Sequence, residues 1–159
     1  MTAAVLTVSD GVASGHREDA SGAVLADRAR DAGFEIVERR VVADERGAIA
    51  AALRDLVGRA DLVLTTGGTG FAPRDVTPEA TAEVVERPTP GLDEAMREVS
   101  RRASPHGLLS RGASGIAGAS LIVNFPGSPR ACAECFDAIA DALGHGVSLL
   151  TSRPTEHPA

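Results

Sequence analysis

The run Asp61-Leu62-Val63-Leu64-Thr65-Thr66, closed by Gly67-Gly68-Thr69-Gly70, constrains this chain more than any other segment. Its unbroken apolar stretch predicts a strand buried on both faces, which requires a sheet with a covering layer on each side. Further strands are expected at Ala3 to Val8, Phe34 to Val42 and Ser120 to Phe125. Helical spacing appears between them, over Ser21 to Ala32, Arg46 to Val57, from Thr77 onward, Leu92 to Ala103, and Arg130 to Leu143. Strands that alternate with helices predict an α/β domain with a largely parallel sheet and helices on both faces. Residues 105–119 read as irregular, with one short strand near Ile116.

The helix boundaries carry their own signals. Asp44 is placed to cap the helix from Arg46, and Gly33 to end the one before it. Thr77-Pro78-Glu79 predicts a helix start in which Thr caps, Pro takes the first helical position and Glu meets the dipole. With 159 residues the chain is one domain by size, expected over 1–152, with 153–159 as a disordered tail.

Composition excludes several kinds of function. All 16 basic residues are arginine, so a P-loop lysine and a Schiff-base amine are both ruled out. A net charge of −6 and only 3% aromatic residues argue against a sequence-independent grip on nucleic acid and against base stacking. No stretch reaches the ~18 apolar residues of a membrane span, and the first residues lack a basic, then apolar, leader pattern. The only cysteines, Cys132 and Cys135, are too few for a disulfide framework, and the expected location is cytoplasmic.

Three motifs fall where ligands sit in open parallel sheets, at the carboxyl ends of strands. Thr66-Gly67-Gly68-Thr69-Gly70 lets the backbone approach an anion and point N–H groups at it, although a ligand-free tight turn has the same composition. It is no dinucleotide fingerprint, because no third glycine stands at the required offset. Asn124-Phe125-Pro126-Gly127-Ser128-Pro129 joins a buried strand to a helix N-terminus and reads either as a second anion cradle or as a rigid turn. Arg74-Asp75 follows the first glycine turn. Asp75 is a candidate Mg²⁺ ligand and Asp44 a candidate second carboxylate, with capping or solvation as the alternative for each. Ser110 and Arg111 offer a hydroxyl and a guanidinium from a loop. Cys132-x-x-Cys135 allows a thiol redox role, but its place on an apolar helix stripe favours core packing. The four histidines have no metal-ligand spacing.

The ordered set of motifs resembles the MogA/MoaB family of molybdenum cofactor biosynthesis, which includes the plant Cnx G domain and the gephyrin G domain. The resemblance runs through Val8-Ser9-Asp10, Ala43-Asp44-Glu45, Thr66 to Gly70, Arg74 to Thr81, Pro90-Gly91, Leu109-Ser110-Arg111 and Asn124 to Pro129. It implies a three-layer α/β/α sandwich that assembles as a homotrimer, or a hexamer in some MoaB-type members. It also implies Mg-ATP-dependent adenylylation of molybdopterin with release of pyrophosphate, and hand-over of the product to a molybdenum insertase. Asp44 and Asp75 match the family's required aspartates. Thr66, Gly67, Gly68, Thr69, Gly70, Ser110, Arg111, Asn124, Pro126, Gly127 and Ser128 match its nucleotide and pterin pocket, and Arg74 is placed to meet phosphate charge. The length is closer to MoaB, so a non-catalytic pterin-binding or scaffolding protein is the alternative.

Overall fold

Strand β3 (Leu62–Thr66) is buried along its whole length, as its apolar run requires. Its neighbours β1 (Thr2–Val8) and β6 (Ser120–Phe125) are nearly as enclosed, and all three run parallel. The alternation of side chains across a strand divides these residues between two cores. Ala3, Val5, Leu62, Leu64, Val123 and Phe125 face one helical layer, whereas Ala4, Leu6, Val8, Val63 and Ile122 face the other.

This computed structural model describes residues 1–151, so the expected tail at 153–159 lies outside the described residues. The other elements, in chain order, are α1 (Asp10–Ala13), α2 (Ala20–Asp31), β2 (Glu35–Val42), α3 (Arg46–Leu56), α4 (Thr77–Ala82), β4 (Arg87–Pro88), α5 (Pro90–Ala103), β5 (Ser114–Ala117) and α6 (Pro129–Leu150), with a 3-10 turn at Pro105–Leu109. The sheet has six strands in the order β2-β1-β3-β6-β5-β4. β2 pairs in parallel with β1, while β5 is antiparallel to both β6 and β4. Helices α2, α5 and α6 contribute Leu25, Met96 and Phe136 to one core, and α3 and α4 contribute Leu53 and Ala80 to the other. The architecture is the expected three-layer α/β sandwich with a mostly parallel sheet. No helix among the described residues is long and apolar enough to cross a membrane.

Two local features differ from the sequence expectation, and two more add to it. Asp44 does not cap α3: Glu45 holds that position without a side-chain bond, and Asp44 is engaged elsewhere. Thr77 is the first residue of α4, not its cap, and its hydroxyl donates to the carbonyl of Gly67 at 2.8 Å. The polar turn after β1 contains the short helix α1, capped by the Ser9 hydroxyl. Helix α6 continues past Gly144 and Gly146 to Leu150, because Leu143 and Val147 both reach the core and their burial outweighs the weak helix propensity of two glycines.

The continuity of α6 gives a direct test. A Cβ at Gly146 would have no heavy atom within 4 Å. Gly146→Ala is expected to raise stability by roughly 0.5–1 kcal/mol, read as a higher urea midpoint. A lowered midpoint would show that the backbone there is not helical in solution.

Candidate active site

The first crossover carries the chain from β1 outward to β2, and the next returns it past β1 to β3. The direction of winding reverses between β1 and β3, and ligand crevices open at such a reversal, beyond the carboxyl ends of the strands. Two adjoining cavities lie at this edge. The smaller, of about 500 Å³, sits over the ends of β1 and β3 and is lined by Ser9, Arg17, Asp44 and Gly67 among others. The larger, of about 550 Å³, lies towards α5 and α6, with Thr69, Ser104, His106, Ser110 and Pro126 on its walls. Gly68, Asp75, Gly127 and Ser128 line both.

The glycine turn is shaped by backbone constraint. Gly67 and Gly68 have φ of +96° and +65°, a region that strains any residue carrying a Cβ. A side chain at 67 would also strike the Val8 carbonyl, and one at 68 the Thr77 hydroxyl. The Gly67 N–H donates to the Phe125 carbonyl at 3.2 Å, so the turn is tied to the end of β6. Opposite it, Ser128 caps α6 by accepting from the Ala131 N–H at 3.1 Å, which leaves the positive end of a 22-residue helix behind Gly127 and Ser128.

Carboxylates gather beside the turn. The Asp10 N–H donates to Asp44 Oδ2 at 2.7 Å, and the Asp44 N–H donates back to Asp10 Oδ1 at 3.0 Å. Arg74 holds Asp10 in a fork, with Nε and Nη2 donating at 2.6 and 2.9 Å. This contact with Arg74 keeps the Asp10 carboxyl below the usual carboxylate range. Asp44 moves the other way. Burial pushes its carboxyl up and the charges of Asp10 and Asp75 add to that, against the opposing Asp10 N–H bond and Arg74 charge. Asp75 Oδ2 accepts from the Ala72 N–H at 2.9 Å.

Three side chains expected at the ligand are turned into the protein instead. The buried amide of Asn124 donates to the hydroxyls of Thr65 and Thr81, both at 3.0 Å, and accepts from the Ala113 N–H at 3.2 Å. The Thr66 hydroxyl donates to the Pro126 carbonyl at 2.7 Å. The Arg111 guanidinium donates to the carbonyls of Gly70 and Asp75 and to the carboxylate of Glu79. These residues support the cradle from behind. Gly68, Thr69, Gly70, Asp75, Ser110, Pro126, Gly127 and Ser128 line the larger cavity, and Asp44, Thr66 and Gly67 the smaller. Arg74 is linked to the smaller cavity through Asp10, which bonds Asp44 on its wall.

The family described as "Probable molybdopterin binding domain" matches residues 4–145. The chain belongs to this family. The molybdopterin adenylyltransferase of Helicobacter pylori (strain 26695) is 40% identical over 150 residues, spanning 92% of this chain and 85% of the relative. The molybdenum cofactor synthesis protein cinnamon of Drosophila melanogaster is 42% identical over 154 residues, spanning 94% of this chain. This chain spans only 26% of cinnamon's length. Among solved structures, the molybdopterin biosynthesis enzyme MoaB of Thermus thermophilus superposes with a TM-score of 0.90 at 42% identity, covering 96% of this chain and 98% of that one.

Some parts of the site escape motif reading. Asp10 stands in the Val8-Ser9-Asp10 motif of the resemblance, but nothing in that motif gave it a role; its place just past β1, where the winding reverses, was the available signal. Ser104 and His106 reach the larger cavity from the 3-10 turn, a segment with no local pattern to mark it. The cysteine pair belongs to the core: both thiols are buried and free, and burial pushes the Cys132 thiol up to about 12. A thiolate-based redox role has no support in this environment.

The Arg111–Glu79 pair has a pH signature. Contact with Arg111 holds the Glu79 carboxyl below its usual value near 4.5. The resulting stabilisation is therefore fully present above that pH and lost as pH falls through the lowered folded-state value. Glu79→Gln is expected to lose about 1 kcal/mol or less at pH 7, since the pair is partly solvent-screened, and the difference from wild type should shrink by pH 3. Urea midpoints at the two pH values measure it; a difference constant across them would contradict the pairing.

Proposed function

We propose that the chain transfers the adenylyl group of Mg-ATP to the terminal phosphate of molybdopterin, a step of molybdenum cofactor biosynthesis. The observation that carries this reading is the pair of adjoining cavities that meet at Gly68, Asp75, Gly127 and Ser128. A reaction between two phosphorylated substrates needs both held on either side of one phosphorus. The relatives named molybdopterin adenylyltransferase support it.

A phosphate oxygen of molybdopterin attacks the α-phosphorus of ATP, the bond to the bridging oxygen breaks, and pyrophosphate leaves. No covalent nucleophile is required, so the work of the protein is positioning and stabilisation of charge. With the Gly67 N–H bonded to Phe125, the backbone N–H groups of Gly68 to Gly70 and the N-terminus of α6 are suited to phosphate oxygens.

The carboxylates fit Mg²⁺, a hard cation that takes one or two carboxylates along with phosphate oxygens and water. Asp44 and Asp75 line the same cavity. In each, Oδ2 accepts a backbone hydrogen bond, and no such bond engages Oδ1 among the described residues. The upward displacement of Asp44, to which like charges contribute, is the condition that a cation relieves. Asp75 is the principal ligand in this reading and Asp44 the second; the bound ion would neutralise phosphate charge. Among the described residues no cluster of three or more metal-ligating side chains occurs, which agrees with a metal completed by substrate.

By the same family resemblance we infer assembly as a homotrimer or hexamer, and hand-over of the product to a molybdenum insertase. Exposed apolar side chains such as Phe71 and Leu108 leave surface for such contacts. A cytoplasmic setting suits the two free thiols.

The test is incubation of purified protein with molybdopterin, ATP and Mg²⁺, with detection of adenylyl-molybdopterin and pyrophosphate. Binding of molybdopterin without saturable binding of Mg-ATP would favour the scaffolding alternative. Asp75→Asn is expected to reduce pyrophosphate release by about 100-fold or more while leaving molybdopterin binding largely intact. Unchanged turnover in that variant would remove Asp75 from the metal site.

A further inference from the structure

The segment from Phe71 to Arg74 carries the chain from the glycine turn to Asp75, and little in the fold holds it. Phe71 is 66% exposed and adds no buried packing. Among the described residues Arg74 is tied outward through its exposed pair with Asp10, an interaction of small free energy in water. Its backbone bonds are internal to the loop: the Asp75 N–H donates to the Ala72 carbonyl and the Ala72 N–H to Asp75 Oδ2, both at 2.9 Å.

Arg111 supplies the missing anchor. Its Nε donates to the Gly70 carbonyl at 2.8 Å and its Nη2 to the Asp75 carbonyl at 2.6 Å, so one planar group grips both ends of the loop. Nη1 donates to the Glu79 carboxylate in the first turn of α4. The Arg111 backbone N–H also donates to the Thr69 carbonyl at 2.8 Å. The next residue back, Ser110, lines the larger cavity.

We propose that Arg111 is a positioning residue that sets Asp75 between the two cavities, by clamping Gly70 and Asp75 through their carbonyls while Glu79 orients its guanidinium. Because Ser110 and Arg111 are adjacent, the clamp also joins the wall of the larger cavity to the loop that bears Asp75. A planar fork with donors fixed in three directions satisfies this geometry. A lysine ammonium is one point of charge and cannot span both carbonyls and the carboxylate together. Arg111 acts through Asp75 and not by touching substrate.

The experiment compares wild type, Arg111→Lys and Arg111→Met by amide hydrogen exchange and by adenylylation kinetics with varied Mg²⁺. The kinetic arm rests on the adenylyl-transfer reading, whereas the exchange arm does not. In both variants the amides of Ala72 and Asp75 are expected to exchange about 10-fold faster or more, with those of Leu64 and Val123 unchanged. Turnover should fall about 100-fold, with the Mg²⁺ concentration for half-maximal rate raised. Full protection of Ala72 and Asp75 in Arg111→Lys would overturn the clamp, and so would exchange accelerated equally in the core strands. Lost turnover with unchanged exchange would also overturn it, by placing Arg111 on the substrate. If wild type makes no product while the exchange result holds, the clamp stands and adenylyl transfer falls.

Discussion

The two walls of the site are joined at the carbonyl oxygen of Pro126, which accepts from the Thr66 hydroxyl at 2.7 Å and from the Cys132 thiol at 3.0 Å. Thr66 ends β3, Pro126 follows β6 and Cys132 stands in the first turn of α6, so three elements converge on one atom. The parallel register that pairs Thr66 with Phe125 brings them to the same height. Bonding to that oxygen would be lost if either wall moved, so the arrangement resists displacement. Gly67 and Gly127 then approach closely: a Cβ at Gly127 would lie in contact, 3.5 Å from the Cα of Gly67. The cradle takes its dimensions from the core beneath it.

Around that junction, charge is sorted by origin. The positive side of the site is backbone: the N–H groups of Gly68 to Gly70 and the N-terminus of α6. The carboxylates of Asp44 and Asp75 are side chains brought from loops after two different strands. Arg74 restrains Asp10, which in turn exchanges hydrogen bonds with Asp44. One exposed guanidinium and two backbone N–H groups thus offset part of the repulsion among these carboxylates.

Much of the architecture was legible because of how strands bury their side chains. Leu62 to Thr66 is covered on both faces, and only an apolar run tolerates that. The edge strand β2 alternates between exposed and half-buried positions instead, and shows polar residues at intervals. Misread positions share a cause. Asp44 and Thr77 are residue types that cap helices, and each stands next to a helix start, yet each bonds a group distant in sequence. A short polar side chain takes whichever backbone partner the fold brings near, and nothing local separates the two outcomes. The two-residue β4 and four-residue α1 are too short to leave a periodic trace.

The sequence by itself determined the long strands, where the backbone must be glycine, and which aspartates follow the strand ends. Those properties depend on local sterics and on the spacing of apolar residues. Only the tertiary structure decided which polar side chains face a ligand and which are consumed by the protein. Arg111 finds Gly70 across 41 residues, and Asn124 finds Thr65 across 59. Both are chemically able to bind phosphate or pterin, and both are turned away: Asn124 serves buried hydroxyls and Arg111 half-buried carbonyls of the fold. That choice is set by packing between elements far apart along the chain.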